Sequence, residues 1–177
     1  MYANASNGLK MIFIAQIFNI IGAIVPGIVG SVIQAIAMII TLLGLKQAAI
    51  DEEGYNNAFI FTLINLVIGF FNKGDGILAS LMGIVSSILA LCIVHAVCNA
   101  TSSLLNTIGE SSLAGRGNII WTLYLVCTVV VIICDVLMII PLINILAAFG
   151  AFIAAIVAIV AAIMYMVFIY QSSKALA

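Results

Sequence analysis

The chain has 177 residues, of which 66% are hydrophobic, and it carries only five Lys or Arg and six Asp or Glu. A water-soluble domain of this length holds about 44 charged residues at the usual quarter of composition. The deficit excludes an ordinary soluble globule, a disordered chain and a nucleic-acid binder, and leaves an integral membrane protein whose first partner is the lipid bilayer.

A helix crossing ~30 Å of hydrocarbon needs about 20 apolar residues. Uncharged runs of that order lie between Lys10 and Lys46, Glu53 and Lys73, Asp75 and Glu110, Arg116 and Asp135, and Asp135 and Lys174. Pro26-Gly27 divides the first run, because proline removes a helix hydrogen bond and clashes one turn back. Pro141 interrupts the last run in the same way, and each proline marks either a turn or a kink. Asn72-Lys73-Gly74-Asp75-Gly76 reads as a polar turn. The pattern predicts six spans, at about 8–25, 27–45, 57–71, 76–98, 118–140 and 144–170. The fold class is therefore all-α: a polytopic membrane bundle of six transmembrane helices. A single transmembrane domain fills residues 1–177, with short loops and no separate soluble domain.

In this arrangement Lys10, Lys46, Arg116 and Lys174 fall on one side and Lys73 on the other. Positive charge is kept on the cytoplasmic face, so both termini are expected there, in a cytoplasmic (inner) membrane. Trp121 and the five tyrosines lie towards the same side, where their amphipathic rings suit the headgroup layer. The first helix reads as an uncleaved anchor. Odd-numbered spans begin after Asn7, Asn57 and Asn118, each a good N-cap. The loops at 46–56 and 108–117 are longer than those on the opposite side. Together these features predict three in–out–in helical hairpins.

Lipid tails are as apolar as leucine, so close packing in a membrane relies on small residues. Gly150, Ala154, Ala158 and Ala162 stand four apart in the last span, beside a second row of Ala147, Ala151 and Ala155. This predicts a centrally packed helix, either within the chain or against a second copy or membrane partner. Gly76 and Ser80, with Gly83 beside them, mark a smaller close-packing face on the fourth span.

Asp135 is the one acidic residue well inside a span. A carboxylate in hydrocarbon is costly unless paired, wetted or protonated. The residue is read either as a proton, cation or ligand site, or as a carboxyl reaching the headgroups or bonded to Asn144 or Thr128. His95 belongs to a polar stripe with Cys92, Asn99, Ser102 and Asn106. The stripe is either an amphipathic exit from lipid or a pocket at the membrane surface. Cys92-x2-His95-x2-Cys98 drifts about 60° per step around a helix, so no metal site is expected. The cysteines read as small apolar fillers rather than disulfide partners. The amides Gln16, Asn19, Gln34, Asn65 and Asn144 could together line a polar cavity, but are rather expected to fasten the bundle at separate points. Asp51-Glu52-Glu53 reads as a solvated loop. No phosphate loop, HExxH motif, paired carboxylates or nucleophile-plus-base set occurs, so neither enzyme activity nor a cofactor is expected.

Two functions fit. The first is a non-enzymatic membrane protein that acts through helix packing with itself or a partner. The second is a transport component that binds a small molecule, or couples to protons or cations, around Asp135, Asn144, Asn65 and His95. In length and span count the chain resembles the substrate-capture subunits of energy-coupling-factor transporters. Those subunits carry alanines four apart in their first helix. The corresponding positions here read Ala15, Asn19 and Ala23, and the alanine ladder lies in the last helix instead.

Overall fold

The computed structural model describes residues 2–71, 77–137 and 144–177, with side chains described except at 70, 71, 77–80, 135 and 144–147. Within these residues the chain forms six helices: α1 (Ala3–Ile24), α2 (Gly27–Ala48), α3 (Gly54–Phe71), α4 (Ile77–Thr107), α5 (Ser111–Leu137) and α6 (Asn144–Ala175). Five have described stretches long and apolar enough to cross a membrane, and α3 offers a shorter apolar stretch, Gly54–Gly69.

Each helix packs against the next in sequence, and α6 returns to α1, so the six close into a ring. Ser6 Oγ donates to the Ser173 carbonyl at 2.6 Å, which joins the first helix to the last and puts both termini at one end. α6 is therefore a member of the ring between α5 and α1, touching α4 only lightly, and not a central helix.

Pro26 makes a turn. Proline disfavours helical backbone in the residue before it, and Val25 is extended (φ −82°, ψ 117°), ending α1. Gly27 then takes φ +76°, a left-handed conformation open to glycine, at the start of α2. The resulting hairpin is packed backbone to backbone. A Cβ on Gly44 would stand 2.7 Å from the Gly8 carbonyl oxygen, and one on Gly30 would stand 2.7 Å from that of Gly22. Between these contacts the register sets Ala15 opposite Ala37, both fully buried. Small residues thus recur every seventh position on both helices, symmetrically about Pro26. Seven-residue spacing keeps one narrow seam facing its partner along the whole hairpin. Gly83 has nothing within 4 Å of its would-be Cβ, so that position leaves open space instead of supporting a close contact; Gly76 and the Ser80 side chain lie outside the described residues.

All six helices extend further at the termini end than their apolar runs predict, α4, α5 and α6 among them. α4 continues through 99–107, α5 starts at Ser111 and α6 runs on to Ala175. The reason is packing: Leu104, Leu105 and Ala114 on these extensions, and Leu176 just past the end of α6, are buried in the main core with Leu9, Leu45, Tyr55 and Phe168. The loops here are consequently short, at 49–53 and 108–110. α4 closes on Gly109 (φ +84°), with Glu110 N–H donating to Leu105 O and Gly109 N–H to Asn106 O. That is the paired bonding of a glycine-terminated helix.

The longer helices also displace the expected caps. Asn7, Asn57 and Asn118 lie inside α1, α3 and α5 and do not precede them. The start of α1 is instead capped from a distance. Asp51 accepts from Ala5 N–H at 2.7 Å and from Asn4 Nδ2 at 2.9 Å, while Gln47 Nε2 donates to Asn4 Oδ1 at 2.8 Å. Asp51 is half-buried and structural, not simply a solvated loop residue.

Candidate binding cavity

Ring closure leaves a space that every helix lines. Its volume is about 560 Å³, and its wall includes Gln16 and Asn19 of α1, Gln34 of α2, Asn65 of α3, Tyr124 of α5 and Tyr165 of α6. α4 contributes Ala90, Ile93 and Val94. The four amides belong to three neighbouring helices, and the two tyrosines face them from the other arc of the ring. Their rings meet edge to face with centroids 6.0 Å apart.

The polar lining is neutral. Thr41 Oγ1 and Thr62 Oγ1 turn back to the carbonyls of Ala37 and Ala58, so their methyl groups, not their donors, are free for contacts. Asn65 Oδ1 accepts from Ser86 Oγ, which fixes its carbonyl towards α4 and leaves its NH₂. Among the described residues no side chain bonds to Gln16, Asn19 or Gln34. Three amides with both donors and acceptors therefore share a space at mid-helix depth. Gln16 and Asn19 are half-buried and Gln34 is exposed, so their donors and acceptors are open to a polar guest, water or solute.

Asn65 thus fastens α3 to α4 through Ser86, as expected of these amides, while Gln16, Asn19 and Gln34 make no such bond among the described residues and all four line one cavity. Asn144 opens α6, but its side chain lies outside the described residues. Position 135 belongs to α5, and the side chain of Asp135 also lies outside the described residues, as does Pro141.

His95 does not reach the cavity. It is exposed on α4 and stacks on Trp121 of α5, with centroids 4.7 Å apart and planes at 53°. The two rings line a separate polar groove of about 350 Å³ between α4 and α5, with Asn99, Ser102, Asn106 and Asn118. The polar stripe on α4 is therefore one wall of a groove. Among the described residues no three His, Cys, Asp or Glu side chains gather at a metal position. All four cysteines are free.

The small residues of α6 lie on its packed side with one shift. Ala154 is buried, Ala158 and Ala162 are half-buried, and a Cβ on Gly150 would touch Cys134 Sγ at 3.1 Å. The fully buried alanine at the next turn is Ala161, because steps of four drift around a helix while the packed line alternates four and three. Ala155 of the second row is exposed, Ala151 is half-buried, and the side chain of Ala147 lies outside the described residues.

No known protein family matches this sequence, and no similar chain was found among characterised proteins or solved structures. The cavity and groove must therefore be read from their own chemistry.

Proposed function

We propose that this chain is a membrane-embedded binding protein for a small, uncharged, hydrogen-bonding molecule, acting as the capture component of a transport process. The observation that carries the proposal is the shared cavity, lined by all six helices and furnished with four amides. Its volume falls in the range of about 300–1,000 Å³ typical of small-molecule sites. Apolar walls with a few convergent polar groups are the usual composition of such sites. Aromatic rings at Tyr124 and Tyr165 suit a planar or ring-bearing guest. A neutral lining favours a neutral guest, because a charged one would lose its hydration without gaining a counter-charge.

This reading moves the binding site from Asp135 to the amides. It also competes well with action through helix packing on a partner. The closest backbone approaches, Gly8 with Gly44 and Gly22 with Gly30, are already used inside the chain. In the proposed setting the termini end, with Lys10, Lys46, Arg116 and Lys174, faces the cytoplasm of a cytoplasmic membrane.

Native mass spectrometry of the protein released from its membrane in mild detergent tests the proposal. Wild type is expected to carry a small-molecule adduct that Asn65→Leu combined with Gln16→Leu removes. A wild-type protein without an adduct, or an adduct retained by the double variant at full occupancy, overturns it.

A further inference from the structure

A third space, of about 310 Å³, runs as a groove between α5 and α6 on the outer face of the ring. Its floor is Ile120 and Phe168, each 1% exposed. Its walls are Ile119, Ile163 and Val167, exposed at 60%, 57% and 46%. Such a surface is unfavourable in water and ordinary against acyl chains. Along α6 the groove runs from Gln171 to Ile163, about 12 Å of helix at 1.5 Å per residue.

The groove ends in a charge. Arg116 closes it at the termini end, and its Nη1 donates to Gln171 Oε1 at 3.0 Å, a neutral acceptor. Among the described residues no carboxylate lies within ion-pair distance of the guanidinium. Both polar residues stand just beyond the apolar runs of their helices, which begin after Asn118 and end at Tyr170. That is the depth of lipid headgroups when the apolar runs fill the hydrocarbon layer. An arginine fork fits phosphate oxygens in a paired geometry and stays charged at any ordinary pH, and with no carboxylate beside it that charge disfavours a headgroup that also carries an ammonium.

We infer that the α5–α6 groove is a site for one anionic phospholipid, its phosphate held by Arg116 beside Gln171 and one acyl chain laid along Ile119, Ile163 and Val167. The inference does not depend on the guest of the central cavity. That cavity lies inside the ring, and none of its lining residues borders the groove. Nor does it depend on which face of the membrane the termini occupy.

The test titrates purified full-length protein with phosphatidylglycerol or phosphatidylcholine of identical acyl chains, followed by native mass spectrometry and by thermal unfolding in detergent. Wild type should bind phosphatidylglycerol about ten-fold tighter than phosphatidylcholine and unfold at higher temperature with it. Arg116→Gln should abolish that preference. Lys46→Gln removes the same charge from an exposed site elsewhere at that end, and should preserve it. Val167→Trp should weaken both lipids by filling the groove. Soluble glycerol phosphate should neither bind nor shift unfolding; binding of it alone would show a free-phosphate site and overturn the lipid assignment. Equal affinity of wild type for the two lipids, or a preference that survives Arg116→Gln, also overturns it. Arg116 is exposed, so its variant should fold, and an unchanged unfolding temperature without lipid verifies this directly.

Discussion

Gly8 and Gly44 face each other across the α1–α2 seam with no room for a side chain: a Cβ on Gly44 would stand 2.7 Å from the Gly8 carbonyl oxygen and 3.0 Å from Ile12 Cγ1. The carbonyl belongs to helix backbone and cannot swing away, so a larger residue must force the helices apart. Gly44→Leu is expected to destabilise the protein by about 1–3 kcal/mol, the usual cost of overpacking. Gly83→Ala provides the contrast. Nothing lies within 4 Å of its would-be Cβ, and α4 should gain up to about 1 kcal/mol from the better helix former. Thermal unfolding of the two variants in the same detergent should move in opposite directions.

The six helices are legible in the sequence because helices of this length and apolarity announce themselves as long apolar runs, and the spacing of charges brackets them. Their extensions are less legible. Asn99, Asn106 and four serines give 99–117 the composition of a loop, yet Leu104, Leu105 and Ala114 keep one face apolar, and Gly109 marks the true break. The seam of the first hairpin is present as small residues at 8, 15 and 22 and at 30, 37 and 44. A search for residues four apart passes over it, because an antiparallel seam repeats every seven. The amide cavity is of another kind. Gln16, Gln34 and Asn65 lie far apart in sequence, and only the order in which the helices close the ring turns them towards one space. Nothing within any one helix encodes that.

Asp51 offers a test of how the ring is anchored. Its two carboxylate oxygens take the Ala5 N–H and the Asn4 Nδ2, so it satisfies a free donor in the first turn of α1 and places negative charge at the positive end of the helix. Asp51→Ala should cost about 1 kcal/mol, the usual worth of a cap. The local signature is more specific than the global one. Amide hydrogen exchange should rise over residues 5–8 and stay unchanged in α4. Uniform loosening of both helices would mean that Asp51 supports the whole bundle and not this one terminus.

Tyr55 and Thr101 form a buried pair between α3 and α4, with hydroxyl oxygens 2.7 Å apart and both residues fully enclosed. Removing one hydroxyl leaves the other without a partner, and an orphaned buried group costs about 1–3 kcal/mol. Tyr55→Phe and Thr101→Val should each be destabilising by that order. The double variant removes both polar groups and should cost less than the sum of the two. A double-mutant cycle on unfolding free energies measures the coupling, expected at 0.5 kcal/mol or more for residues in direct contact. Strict additivity would show that the two hydroxyls do not depend on each other.

Closure of the ring rests on the meeting of α1 with α6, where Ser6 Oγ reaches the Ser173 carbonyl and the Phe13 ring lies 5.1 Å from that of Tyr170. An open six-helix array would leave α1 and α6 as separate edges, and the cavity would lose its wall between them. In a background with Cys92, Cys98, Cys127 and Cys134 replaced by alanine, Asn7→Cys with Lys174→Cys, the exposed neighbours in sequence of this buried pair, should be joined by a short bis-maleimide within one chain. The product should run as a monomer on denaturing gels and still release a linked peptide pair on digestion. Each single-cysteine protein should yield no such pair. Cross-linking that appears only between chains would show that α1 of one copy packs on α6 of another. The cavity would then be an assembly of two molecules, and its amides would be shared across them.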